Sequence, residues 1–304
     1  MQVASAPVSW GITEIKGLLS NLPYARVMDE IRDAGYQGTE LGPWGFYPHA
    51  PGELRLALDA RGLALVGSFV DVPIHDVALF DEGRRAVQQV LPLLASFAAI
   101  GATSTAPVLI LSARQTPERA ATAGRVNESA GLSASQWKTA GAYLRELASM
   151  GRDMGLEATF HHHAGTYIET PNEIDRLYEE VDPSLLGLCL DTGHLVLGGG
   201  DNAQFLSRYA PLVRHVHLKN IDSSVLARVR SGNMNYLQAV RAGVFAPLAT
   251  GSIDIPGVVA LLRTSGYDGW LVVEQDIDLS HPDHPNPLSG ARAARTFIRE
   301  TIGV

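Results

Sequence analysis

Two apolar runs in the second half of the chain end in residues able to hold a cation and move a proton. One is Gly187-Leu188-Cys189-Leu190-Asp191-Thr192-Gly193-His194, the other Arg214-His215-Val216-His217-Leu218-Lys219. A buried parallel strand gives this pattern when it delivers ionisable groups to one rim of an α/β barrel. Similar endings occur at Glu40, at His161, His162 and His163, and at Glu274 with Asp276. Singly, each has an ordinary explanation, since an Asp at a strand end commonly caps the next helix and a lone His commonly sits hydrogen-bonded in a core. Together, carboxylates and imidazoles converging from several strands would be costly to desolvate without a compensating cation. Mixed nitrogen and oxygen donors suit Mn, Co, Zn or Fe.

Period-two geometry discriminates within these clusters. His215 and His217 face one side of their strand and Val216 the other, so His217, nearer the carboxyl end, is placed for the mouth and taken as a ligand. His215 lies deeper, open to a structural hydrogen bond or a substrate contact. The turn after Asp191 can bring His194 back over the pocket as acid, base or substrate contact. Glu40 is a candidate for hydrogen-bonding substrate hydroxyls or for pinning a loop. Trp10 and Trp44 follow strand ends and are candidates for an aromatic wall against the apolar face of a ring, whereas Trp137 and Trp270 read as packing.

Regular elements must hold these groups. Short apolar runs at 3–10, 38–42, 63–69, 106–112, 156–161, 186–191, 213–219 and 270–274 predict strands. Longer amphipathic patterns at 24–34, 52–61, 82–100, 134–154, 171–181, 202–209, 255–264 and 289–301 predict helices between and after them. Gly35, Gly62, Gly101, Gly155 and Gly266 close helical patterns before strands, and Thr170-Pro171-Asn172-Glu173 is a helix start. Eight strand and helix pairs in alternation predict one (β/α)8 barrel over residues 1–304. Two long connections, 112–133 and 220–254, follow strand carboxyl ends and are lid candidates.

Composition narrows the function. A chain of 304 residues, 46% apolar, can bury one large core. A net charge of −8 and no basic run provide no footprint for nucleic acid or an anionic membrane surface, which favours a small-molecule partner. The single Cys189 lies in an apolar run, which excludes an intrachain disulfide and reads as a buried thiol in a reducing compartment. No export signal or membrane span is legible, so a cytoplasmic protein is expected.

The chain resembles the xylose isomerase-like TIM barrel superfamily and, within it, the inosose dehydratases of inositol catabolism. The resemblance rests on Ala6-Pro7-Val8-Ser9-Trp10-Gly11, on Gly35 to Gly45, on His161-His162-His163-Ala164-Gly165-Thr166, on Leu190 to His194, on His215 to Lys219 and on Val273-Glu274-Gln275-Asp276. It implies that Asp191, His217 and Glu274 hold a divalent metal, Mn or Co first, with Zn, Mg or Fe as alternatives. The superfamily's strand-five glutamate is replaced by His161, expected here as an unusual fourth ligand, with Glu169 or water as substitutes.

The implied reaction is loss of water from a cyclic polyhydroxy ketone, 2-keto-myo-inositol, giving a 1,2-dione. His163 and His194 are the candidate base and acid, and Lys219 the candidate stabiliser of negative oxygen. A glutathione association is also implied by the resemblance. The alternatives are a ketose epimerase or inosose isomerase using the same metal, and a silent sugar-binding barrel. The superfamily's DNA-repair endonucleases are disfavoured by the acidic composition. A homo-oligomer is expected, with 220–247 closing over its own pocket or a neighbour's.

Overall fold

The computed structural model describes residues 1–14, 18, 20–98, 106–232, 234–279 and 286–304. Eight parallel strands close a barrel: β1 (Gln2–Ser5), β2 (Gly38–Glu40), β3 (Ala64–Val72), β4 (Val108–Ala113), β5 (Ala158–His161), β6 (Gly187–Asp191), β7 (Val213–Leu218) and β8 (Trp270–Val273). Each strand pairs with its neighbours in sequence, and β1 closes on β8 through Gln2 opposite Trp270 and Ser5 opposite Val273.

The helices among the described residues are α1 (Tyr24–Asp33), α2 (Pro51–Asp59), α3 (Phe80–Ala98), the short α4 (Pro117–Ala121), α5 (Ala134–Asp153), α6 (Pro171–Glu180), α7 (Thr192–Leu197), α8 (Asn202–Tyr209), α9 (Ser223–Arg230), α10 (Tyr236–Arg241), α11 (Ile255–Thr264) and α12 (Pro287–Ile302). The first predicted strand is shorter than expected. Pro7, which fixes φ and lacks an N–H, starts a 3-10 turn over Pro7–Trp10 instead. The ends of the predicted third helix, Ala99 and Ile100, and its stop at Gly101 lie outside the described residues.

Local chemistry sets the helix starts. Thr170 accepts from the Glu173 N–H while the Glu173 side chain accepts from the Thr170 N–H, a complete capping box with Pro171 at the first helical position. α1 and α6 each bury one apolar stripe, Val27, Met28 and Ile31 in the first and Ile174 and Leu177 in the second. Leu109, Leu111, Phe160, Leu188, Leu190, Val216 and Leu271 are all buried without exposure, so the strand faces turned to the helices form one dry core. Among the described residues no helix is long and apolar enough to cross a membrane.

Both long connections are structured. After β4 the chain forms α4, whose Arg119 is buried and donates to Glu173 in α6 (2.8 Å). After β7 it forms a two-strand hairpin, Asn220–Ile221 against Phe245–Ala246, with α9 and α10 between. This excursion closes over its own barrel, where Asn235 and Leu237 reach the cavity described next.

Candidate active site

A cavity of about 760 Å³ opens at the carboxyl ends of the strands, within the roughly 300–1,000 Å³ usual for small-molecule sites. Glu40, Phe69, Asp71, His161, His163, His217, Lys219, Glu274 and Asp276 are on its wall. These groups lie at or just past the carboxyl ends of β2, β3, β5, β7 and β8, the arrangement a barrel of this type imposes.

Asp191 divides its carboxylate between two tasks. Oδ1 accepts from the N–H groups of Gly193 (2.9 Å) and His194 (2.8 Å), capping α7, so the ordinary explanation of a strand-end Asp holds for one oxygen. Oδ2 faces the site, 3.4 Å from His161 Nε2 and 3.3 Å from Lys219 Nζ. Gly193 is required where it stands, because a Cβ there would lie 2.7 Å from the Lys219 Cβ.

β7 projects His215, His217 and Lys219 to the same side. Glu40 Oε1 accepts from His215 Nε2 (2.7 Å) and His217 Nε2 (2.8 Å). Burial alone would neutralise Glu40, but His217 and His215 outweigh it and hold the carboxyl well below the usual range. The carboxylate thereby fixes the His217 proton on Nε2 and leaves Nδ1 as the inward nitrogen. Nδ1 lies 3.1 Å from Glu274 Oε2 and 3.8 Å from Asp191 Oδ2 without a well-directed hydrogen bond; burial opposes a charge on the ring, but Cys189, Glu274 and Glu40 prevail and hold the imidazole well above the usual histidine range, so a cation at Nδ1 would take the place of a proton. A buried nitrogen flanked by two carboxylates and backed by a third fits a metal ligand, and ligand atoms of Asp191, His217 and Glu274 lie within 4.8 Å of one another.

His161 projects inward from the end of β5, its ring 4.9 Å from that of His217. Glu169 does not compete for this position. Its carboxylate is turned away and accepts from the N–H groups of Gly124 (2.6 Å) and Gly165 (2.7 Å), tying the two loops together.

The three histidines of β5 have three environments. His161 faces the pocket, while His162 packs beside Phe205 in the core, where burial first of all pushes its imidazole down to about 3. His163, beyond the strand, returns to the cavity wall. Its Nδ1 is 2.8 Å from the Ala164 carbonyl oxygen, which can only accept, so the ring carries its proton there and keeps a lone pair on Nε2. Burial holds both His163 and His194 well below the usual histidine range, and therefore neutral.

Several expectations require correction. His194 is fully buried behind the wall, 3.8 Å ring to ring from His163 and with Nε2 3.2 Å from Lys219 Nζ; the cap that fixes α7 keeps it off the cavity surface. His215 is one layer below His217 and spends Nε2 on Glu40, so it is no cavity contact. Trp10 is fully buried and donates from Nε1 to Glu30 in α1 (2.7 Å), because the 3-10 turn diverts it outward. Trp44 is 37% exposed and stacks near His49, outside the cavity. The aromatic wall is Phe69, edge-on to His161 at 5.7 Å.

Lys219 Nζ lies among Asp191 Oδ2, Glu274 Oε2 (3.0 Å) and Asp276 Oδ1 (3.2 Å). Burial opposes its charge, but Asp191, Asp276 and Glu274 prevail and hold the ammonium well above the ordinary lysine range. Two further participants are Asp276 and Tyr236. Asp276 follows Glu274 at period two, so its direction was legible. Tyr236, whose hydroxyl donates to Asp276 Oδ2 (2.9 Å) and is 3.5 Å from His163 Nε2, comes from the excursion after β7, which carries no periodic signal.

The xylose isomerase-like TIM barrel family pattern matches residues 28–301, and the chain belongs to that family. It aligns with an inosose dehydratase of Geobacillus thermodenitrificans (strain NG80-2), 32% identical over 305 residues, covering 100% of this chain and 98% of that protein. The rhizopine catabolism protein MocC of Rhizobium meliloti is 32% identical over 292 residues, 96% of this chain and 86% of that one. The chain thus falls in the inosose dehydratase branch, whose members are hydro-lyases. A solved IOLI protein with a bound zinc atom superposes with a TM-score of 0.72 at 13% identity, covering 100% and 98% of the two chains, a likeness of fold.

Proposed function

We propose that the protein removes water from a cyclic polyhydroxy ketone, 2-keto-myo-inositol being the first substrate to try, and that it needs a divalent metal, Mn or Co before Zn, Mg or Fe. Asp191, His217 and Glu274 would hold the ion, with His161 as the fourth ligand. When bound, the ion supplies Lewis acidity toward the ketone oxygen and a neighbouring hydroxyl. The observation that carries this reading is His217 Nδ1, buried between two carboxylates without a well-directed hydrogen bond while Glu40 secures the opposite nitrogen.

The chain's own residues account for the proton traffic. His163 Nε2, neutral and on the cavity wall, takes the proton from the carbon beside the ketone. Lys219, a fixed ammonium on the same wall, faces the oxygen on which negative charge develops. The protonated His163 then returns that proton to the β hydroxyl as its C–O bond breaks, so one water leaves and the imidazole is again neutral. The enol that remains relaxes to the 1,2-dione. His194 and Tyr236 support His163 from behind and from the side, and Phe69 offers an apolar face to the ring.

Incubation with 2-keto-myo-inositol tests the proposal by mass. The expected product is one water lighter, forms only with metal, and absorbs in the near ultraviolet. A product of unchanged mass carrying solvent deuterium at the α carbon would instead mark an epimerase or isomerase.

A further inference from the structure

Cys189 is the only cysteine of the chain and takes no part in the mechanism above. It is more than core filler. Its backbone pairs with His161 across β5 and with His215 across β7, and paired residues of parallel strands project to the same face. The thiol therefore points into the barrel, resting on Val108, Ile110 and Phe69 directly beneath the cavity. It is fully buried. His161, Cys189 and His217 each present a ligand atom within 4.8 Å of the others. His161 Nδ1 is buried and has no hydrogen-bond partner, and His217 Nδ1, which faces Glu274 at 3.1 Å, makes no well-directed hydrogen bond.

We propose that Cys189, His161 and His217 form a second, deeper cation site that takes soft divalent ions such as Zn(II) and Cd(II) in competition with the rim site. Thiolate and imidazole ligands select soft and borderline ions, whereas Asp191 and Glu274 suit Mn. Binding breaks the S–H bond, forms a metal–sulfur bond and releases the thiol proton to solvent. Because His217 belongs to both sets, an ion in the lower site withdraws that ligand from the upper one. Soft metals would thus inactivate the protein by sinking one layer into the barrel. This inference rests on His217 being a metal ligand, as read above.

The test is titration of the metal-free protein with Cd(II), followed by ultraviolet absorbance. The expected result is a thiolate-to-cadmium charge-transfer band that saturates at one equivalent, with release of Mn from protein loaded with it beforehand. With a single cysteine, the wild-type band alone reports this sulfur, even if a variant folds poorly. Cys189→Ser should abolish the band and lower Cd affinity by about tenfold or more, at least the usual cost of disturbing a metal site's shell, while leaving Mn stoichiometry unchanged. His161→Gln should weaken Cd binding and keep the sulfur signature. Cd binding without a charge-transfer band, alongside normal Mn binding, would overturn the deep site and leave the rim site standing. Failure of both ions to bind would overturn the rim reading with it.

Discussion

β5 and β7 both end in histidines, yet the two ends are built differently. In β7, His215, His217 and Lys219 alternate with Val216 and Leu218, and all three polar residues reach the interior, where Glu40, Asp191, Glu274 and Asp276 partner them. In β5, three consecutive histidines diverge into pocket, core and rim. A strand assigns direction by parity, whereas a turn just past its end assigns direction through its own hydrogen bonds. The β7 cluster is accordingly a layered charge ladder, and the β5 cluster two cavity histidines, His161 and His163, 5.6 Å ring to ring, with His162 turned into the core between them.

The largest effect should come from breaking the ladder. His217→Ala or Glu274→Gln should remove stoichiometric metal binding and bring turnover below detection, measured by metal analysis alongside the product assay. If both variants held metal as the parent does, the ladder would have no ligand function. Next is the residue on which the β5 comparison turns. His163→Ala should keep its metal and lose about 10² to 10⁴ in kcat, the usual worth of a positioned proton-transfer group. His162→Phe, by contrast, should above all lower thermal stability, because His162 packs beside Phe205 and its Nε2 accepts from the Asp191 N–H (3.4 Å), away from the Asp191 carboxylate. A collapse of metal binding in that variant would show that parity had been misassigned.

Much of this contrast could be read in the sequence. Eight strands, their order and the inward direction of His217, Asp191 and Glu274 follow from apolar runs and period two. The diversion of Trp10 did not follow, since Pro7 ends β1 early and the 3-10 turn rotates the indole toward Glu30. Nor did the retreat of His194, because it depends on which Asp191 oxygen caps α7. Phe69 ended its predicted strand and offered a usable signal. Tyr236 offered none, since the fold of the excursion alone brings it to Asp276.

Glu40→Gln should lower metal affinity about 10- to 100-fold, the usual cost of removing a carboxylate that orients a ligating histidine, with turnover restored at high metal. An unchanged affinity would make Glu40 a spectator. Tyr236→Phe removes one buried hydrogen bond and should cost about 1 kcal/mol in stability, read by denaturant unfolding. Its kcat should fall more than its KM rises, because the hydroxyl supports His163 and is absent from the cavity wall.

Central to the proposed chemistry is that the charge ladder of β7 meets Asp191 and Glu274 around one cation. Anomalous diffraction at the manganese edge, on crystals equilibrated with Mn, tests it most directly. The expected result is a single strong peak bonded to Asp191 Oδ2, His217 Nδ1 and Glu274, with His161 completing the protein ligands. A peak elsewhere, or full substrate turnover in crystals without any peak, would contradict it.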